Sequence, residues 1–439
     1  MGKKIVIAGA GHGGLIAAAK LAQAGYDVTV YERKIKSDLG YDWEDAINLH
    51  IFAECGLETP DPKKIDFNGD MKYYNPNLKA PLVVPSNGKG SAMFERKKLY
   101  EILLDNAEKS GVRIIYSTEI LGPVMDGLRV TGIRTSDGVV DADLVIDAAG
   151  INTPLRSRLP VCCNVDRDYG YGDCFYAYRA YFDKIPGHDP DVSYEIFLMH
   201  QGERGISWVV TKDDYVDVLI GRMAPMSKEK LQKTLEEMRA FSPQIGETLL
   251  RGGTQEQIPV RRPLSVMVCD GYAAVGDSAY MTEPMSGSGI CASMRAGLIL
   301  AETVIEDTEE LYSKETLWPY NRKYMLHFGK NFASIDILKN VLLCTAVEGV
   351  NFLFDKGIIT ESDMSFGRGK SDKGMAFTDL VARATRGIGN LPVLLRTAGA
   401  LSKGDNVKKV YEAIPQTYQE DAVLKWKADV LEATTLMQR

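Results

Sequence analysis

"KKIVIAGAGHGGLIAAAKLAQAGYDVTVYER", residues 3–33, decides the fold. Residues 4–8 are a short apolar run of buried-strand length, and 14–24 are rich in Ala and Leu, good helix formers. Gly25 stands where a helix ends in the left-handed conformation, and a second apolar run closes at Tyr31. Strand, tight turn, helix, strand is a βαβ unit. Gly9, Gly11 and Gly14 form G-x-G-x-x-G between the first strand and the helix. The first permits the turn, the second lets a pyrophosphate approach the backbone, and the third lets helix and strand pack closely. Gly13 adds room. Glu32, at the end of the second strand, is placed to accept hydrogen bonds from an adenosine ribose, with Arg33 beside it. A dinucleotide site is expected, and the motif admits NAD as well as FAD. His12 reads as a tolerated variable position inside the turn.

Far along the chain, "DGYAAVGDSAYMTEPMSGSGICASMRAG" (270–297) is a second glycine-rich passage from strand to helix. Asp277 at its strand end can accept hydrogen bonds from polyol hydroxyls. The backbone N–H groups around Gly287–Ile290 open a helix and favour negative charge. If both junctions face one ligand, that ligand is long.

This passage resembles the third FAD signature of the flavoproteins related to p-hydroxybenzoate hydroxylase and geranylgeranyl reductase, a resemblance that runs through residues 1–310 and weakly into the tail. It implies FAD as the cofactor, with Gly276 and Asp277 at the ribityl chain. Pro284, Gly287 and Gly289 then lie against the isoalloxazine edge, ahead of Ile290. "FERKKLYEILLDNAEKSGVRI" (94–114) is similar to the helix after the first flavin segment and brings Arg96 near the cofactor. "ADLVIDAAGINTPLR" (142–156) is similar to the middle signature and supplies Gly150. Ala149 stands where many hydroxylases carry Asp, which weakens NAD(P)H docking by the hydroxylase route. Arg156 is retained, with a surface cation after a loop as its alternative reading.

Residues 170–222 alternate as antiparallel strands, "CFYAYRAYF", "VSYEIFLM", "GISWVV" and "YVDVLIGR". In the family such a sheet roofs the flavin, so Tyr176, Tyr178 and Trp208 are candidate substrate-lining residues, set against ordinary sheet core. The stretches 203–223 and 252–279 resemble geranylgeranyl reductases more than aromatic hydroxylases. Of the reductase pattern Tyr-x-Trp-x-Phe-Pro, Trp208 is kept, while Ile206, Val210 and Thr211 replace the rest. Residues 311–439 have helical spacing with Gly-rich punctuation at 357 and 367–374. They suit the wall of an apolar cavity or a dimerisation surface. The expected fold is therefore α/β (α+β overall): a Rossmann-like FAD-binding domain, an inserted antiparallel β-sheet substrate domain and a C-terminal helical region. Residues 1–70, 90–160 and 255–310 form the first, 71–89 and 161–254 the second, and 311–439 the third.

Composition narrows the partners. A net charge of −7 over 439 residues disfavours nucleic acid, which needs a basic face. The seven cysteines contain no C-x-x-C pair and their number is odd, so a reducing cytoplasm is expected and no metal site is assigned. Cys55 falls near the place where archaeal members of the reductase group carry a cysteine beside the flavin, and reads as a buried structural thiol. The chain opens straight into a strand with no apolar leader, and no stretch is long enough for a transmembrane span. Peripheral membrane contact is allowed.

The function expected is an FAD-dependent reductase that saturates a C=C bond of a largely apolar, isoprenoid-like small molecule or lipid. Its electrons come from an external donor: ferredoxin, NAD(P)H or another reduced carrier. The alternatives are a flavin-dependent monooxygenase and a flavin electron-transfer protein acting with a ferredoxin or quinone partner. No catalytic residue is singled out.

Overall fold

The computed structural model describes residues 3–61, 66–67, 69–79, 81–86, 92–167, 170–364 and 390–435. The glycine punctuation at 367–374 lies outside them. The opening βαβ unit forms as read: strand Lys4–Ala8, helix His12–Gln23, strand Asp27–Tyr31, with Gly25 at φ +96° just past the helix end. These strands are near-continuously apolar because both faces are covered. They sit inside a six-stranded sheet ordered Val268–Cys269, Tyr272–Ala274, Leu144–Asp147, Lys4–Ala8, Asp27–Tyr31, Arg113–Ile115. All its pairs are parallel except the first, a hairpin. The parallel strands deliver both glycine junctions to the same end of the sheet, where ligands of such folds bind.

A second, seven-stranded sheet runs Ile245–Pro259, Cys174–Lys184, Tyr215–Arg222, Gly205–Thr211, Tyr194–Leu198, Met71–Tyr74, Leu82–Val84. It is antiparallel except where Met71–Tyr74 pairs with Tyr194–Leu198 in parallel. One face packs on helix Lys228–Phe241 through Phe182, Val209, Val218, Ile220 and Met238. The other face looks toward the first sheet. The boundary expected between 254 and 255 falls inside Ile245–Pro259, whose pairing with Cys174–Lys184 is unbroken from Thr254 to Pro259. We place the division after Pro259.

The C-terminal helices dock by aromatic packing. Trp318, fully buried in helix Lys314–Tyr324, donates its indole N–H to Pro415 O at 2.9 Å and meets Tyr418 and Trp426 edge-on at 5.3 and 6.4 Å. Helices Lys330–Leu343 and Val347–Asp355 follow, then Leu391–Glu412 and Glu420–Thr434. No single helix among the described residues is long and apolar enough to cross a membrane.

A buried ion pair inside the seven-stranded sheet aims one of its members at the segment after the second strand. Arg179 holds Asp217 through Nη2 at 2.5 Å and Nε at 2.9 Å, and its Nη1 donates to Glu44 O. Both side chains are almost wholly enclosed. Removing one partner of such a pair strands the other charge, so Asp217→Ala is expected to cost about 3–5 kcal/mol of stability. Urea unfolding reads this directly, and an unshifted midpoint would show that Arg179 finds another partner.

Candidate active site

Between the two sheets and the C-terminal helices lies one cavity of about 640 Å³. Its floor is the pair of glycine junctions. Gly9, at φ +86°, could not carry a side chain: a Cβ there would lie 2.7 Å from Ala149 Cα. Gly13 is closed off by the second junction, since a Cβ would meet Ser293 O at 2.4 Å, and its N–H donates to Ser293 Oγ at 3.1 Å. Gly14 packs inward against Ala148 and is not on the cavity wall. Gly11, read as room for a ligand, also faces Ala148 O, where a Cβ would come within 2.7 Å.

Two helices begin at this floor, His12–Gln23 after Gly11 and Ile290–Glu306 after Gly289, and neither has a side-chain cap. Apart from Gly13 N–H, which Ser293 Oγ takes, the positive ends of their dipoles are left for a ligand carrying negative charge. Glu32 is fixed at the rim. Its carboxylate accepts Ala10 N–H at 2.8 Å and Lys34 N–H at 2.9 Å, leaving lone pairs toward the cavity. Arg33 beside it also lines the rim and is exposed.

Asp277 lines the cavity, and its side chain is open to it. Desolvation pushes its carboxyl above the ordinary range against the pull of the Thr282 hydroxyl at 3.2 Å and of Arg96. Arg96 lines the wall, but its fork is spent on Asp45 at 2.5 and 2.8 Å, and it stacks on Tyr41 at 4.8 Å. Burial would raise the Asp45 carboxyl, and Arg96 outweighs it, so the net shift is downward. His12 also lines the cavity. Burial, then the Arg96 charge, lowers it to about 3, so it is neutral, its ring tilted at 46° against Tyr100 at 4.8 Å.

The middle segment is organised by a residue the sequence reading passed over. Asp147, fully buried, accepts from Thr153 Oγ1 at 2.7 Å, Tyr272 OH at 2.8 Å, Ser278 Oγ at 2.9 Å and Ala149 N at 3.1 Å. Ser278 Oγ in turn accepts Gly150 N–H at 3.0 Å. One carboxylate thus fixes the Ala149–Gly150 turn against the Gly276–Ala279 turn that presents Asp277. Arg156 is not a surface cation. It is buried, donates to Ile151 O at 2.7 Å, Tyr280 OH at 3.0 Å and Ser278 O, and clamps the same two segments. Gly150, Gly276, Asp277, Pro284, Gly287, Gly289 and Ile290 all line the cavity.

The sheet roof separates the aromatic candidates. Trp208 lines the cavity, 5.2 Å from the Arg179 guanidinium. Tyr176 and Tyr178 do not line it, and Tyr178 packs on the opposite face with helix Lys228–Phe241. Side chains alternate along a strand, so the residues on the cavity side of Cys174–Lys184 are Phe175 and Arg179. Cys55 is buried in the main core, off the cavity wall, its thiol pushed up to about 12 chiefly by burial. Beyond the roof the cavity continues into a limb walled by Leu198, Met199, Leu342, Val350, Phe354 and Ile358.

The chain belongs to the FAD binding domain family, whose match spans residues 3–327. It is 25% identical to the digeranylgeranylglycerophospholipid reductase of Sulfolobus acidocaldarius over 97% of this chain and 96% of that one. To the protein of the same name from Methanothrix thermoacetophila it is 27% identical over 80% and 90%. Its fold matches a geranylgeranyl bacteriochlorophyll reductase-like protein from Thermoplasma acidophilum with a TM-score of 0.72 at 19% identity, covering 91% of this chain and 99% of that one. A probable FAD-dependent monooxygenase from Pseudomonas aeruginosa matches at 0.59 and 17% identity, over 81% and 100%. FAD is the cofactor, and the two uncapped helix starts and the carboxylates of Glu32 and Asp277 fit its diphosphate and its two polyols.

Glu32 is proposed to hold the adenosine ribose. Glu32→Ala is then expected to weaken FAD binding by about 1.5–3 kcal/mol, the range for hydrogen bonds to a charged group. Fluorescence titration of the apoprotein with FAD measures it, and an unchanged affinity would remove Glu32 from the ribose.

Proposed function

We propose that this member of the FAD binding domain family saturates carbon–carbon double bonds of a long isoprenoid lipid. The observation that carries the reading is the continuity of the cofactor floor with an apolar limb in a single cavity. An aromatic acid or small polar substrate would require charged or hydrogen-bonding groups at its far end. Here Met199, Val350, Leu353, Phe354, Ile358, Ile359 and Leu394 form one hydrophobic cluster around it. The charged groups on the wall there are already engaged: Lys339 by Asp336 at 2.8 Å, and Asp363 by Thr360 N–H at 2.8 Å. The names of the two reductase relatives agree with a substrate of this kind.

Reduced FAD supplies a hydride when bound. The chain's own contribution is placement and dryness. Phe175, Ile206, Trp208 and Leu219 present an apolar roof that holds a hydrocarbon over the floor and excludes water, so the alkene is confined in a near-attack position. The uncapped start of helix Ile290–Glu306 favours negative charge at the floor. Electrons reach the site from a separate reduced carrier, ferredoxin or NAD(P)H, and the lipid arrives by peripheral membrane contact.

Two outcomes are expected. Chemically reduced protein mixed without oxygen with a polyprenyl substrate reoxidises and yields a product carrying two added hydrogens. Reoxidation only on admission of air, with an oxygen atom inserted, would replace this reading with a monooxygenase. Ile358→Trp fills the limb at an overpacking cost of about 1–3 kcal/mol. It should raise KM for a twenty-carbon chain at least several-fold while sparing a ten-carbon one, and equal effects on both would place the chain elsewhere.

A further inference from the structure

Gly221 lies in strand Tyr215–Arg222 on the face of the seven-stranded sheet that looks into the cavity, in phase with Leu219, which lines it. The place of its missing side chain is taken. A Cβ on Gly221 would lie 1.8 Å from Phe175 Cζ and 2.3 and 2.7 Å from the two Cε atoms. The φ of Gly221 is not positive, so its backbone does not call for glycine. The ring of Phe175 is what excludes a side chain there.

The flanking strands shape the same hollow. Gly221 pairs with Ala177 on one side and with Ile206 on the other, so the two smallest cavity-side residues stand next to each other. A strand side chain ordinarily stands off its sheet. Phe175 instead leans diagonally across to the next strand, with its ring tip down at the level of the Gly221 backbone.

What this recess leaves free is space over the floor. Phe175 pairs with Ile258 on the outer strand, and both line the cavity. Below Ile258 lies Gly287, in the floor segment that the flavoprotein resemblance sets against the isoalloxazine edge. A Cβ on Gly287 would be 3.9 Å from Ile258 Cγ2. Roof and floor thus nearly meet one strand away from Phe175, and a ring standing upright beside Ile258 would enter that gap. On its packed side the ring meets the cluster of Trp43, Ala177, Tyr181 and Leu219, all buried. A close-packed cluster has no room for a displaced ring, so a ring driven out of the hollow turns into the cavity.

We propose that Gly221 is a specificity-determining residue of this cavity: by seating Phe175 in the recess it keeps the gap between roof and floor wide enough for a methyl-branched chain. Every isoprene unit carries such a branch, and an upright ring would leave room for an unbranched chain alone. This rests on the reading of the cavity as a lipid site. Gly221 acts through Phe175 and takes no part in the chemistry.

The test uses FAD-loaded protein and two saturated alcohols with a sixteen-carbon main chain, one linear and one bearing a methyl on every fourth carbon. Binding is read without turnover from the absorbance of bound FAD. Wild type should bind both. Gly221→Ala should weaken the branched alcohol about tenfold and the linear one less than about twofold, a loss of the size that overpacking produces. Gly221→Ala/Phe175→Leu, which removes the ring tip, should regain the branched alcohol. Unchanged binding in Gly221→Ala, equal losses for both alcohols, or no regain in the double variant would each overturn the assignment, because a merely damaged strand neither discriminates between the chains nor is repaired at position 175. FAD content and unfolding midpoint are the fold controls. If Gly221→Ala does not fold, Phe175→Trp, whose larger ring the hollow cannot seat, should show the same split, and its absence overturns the assignment. Crystal structures of wild type and variant give a readout free of lipid: the ring lies over residue 221 in wild type and turns toward the floor in the variant, and a ring in the same place in both overturns the recess. If wild type binds neither alcohol, the lipid reading fails while the ring positions still decide the recess.

Discussion

The contact on which the active-site geometry depends is the near-touching of two helix starts. A Cβ on Gly297 would lie 2.2 Å from Gly13 O, and one on Gly13 would lie 2.4 Å from Ser293 O. No side chain fits between helices His12–Gln23 and Ile290–Glu306 at this point. Because they pack backbone to backbone, their uncapped N-termini open on one cavity although the sequence holds them far apart. Close helix packing of this kind tolerates little change of volume. The floor is thus fixed before any ligand binds, and its dipoles need no reorganisation to receive negative charge. Asp147 completes the frame by joining the Ala149–Gly150 and Gly276–Ala279 turns through Ser278.

On this rigid floor the seven-stranded sheet acts as a roof, tied to the floor segment by Arg179, which Asp217 holds and which donates to Glu44 O, and by Arg251, which reaches Glu44 at 3.1 Å and Glu95 at 2.8 Å. Charge is concentrated at the fastening and rim, and apolar surface in the limb. That division suits a reaction whose demands are a dry, oriented alkene and a strong local donor rather than an array of catalytic side chains.

Much of this was legible in the sequence because glycines report backbone constraint. The G-x-G-x-x-G turn needed no alignment to be read as a dinucleotide junction, and Gly287–Gly289 as a helix start that favours negative charge, while their ring-facing role came only from the resemblance to the flavoproteins. Gly11 shows the limit of that logic: Ala148 O requires a glycine there with or without a ligand. The roof was legible as strands but not as faces. Choosing Tyr176 and Tyr178 over Phe175 and Arg179 is a one-residue phase error, which alternation turns into the opposite side of the sheet. Trp208, read with the correct phase, lies on the cavity. Asp147 was invisible because two of its four partners, Tyr272 and Ser278, come from a stretch more than a hundred residues away. Arg156 was left between a retained family residue and a surface cation because nothing local signals that a loop arginine will be enclosed by carbonyls and the ring of Tyr280.

The measurement that tests the account most directly is the identification by mass spectrometry of what leaves the purified protein on denaturation. The account predicts intact FAD together with a long isoprenoid chain, saturated or partly so, from the limb bounded by Val350, Phe354 and Ile358. Release of FAD with an aromatic or small polar ligand in place of a lipid would contradict it.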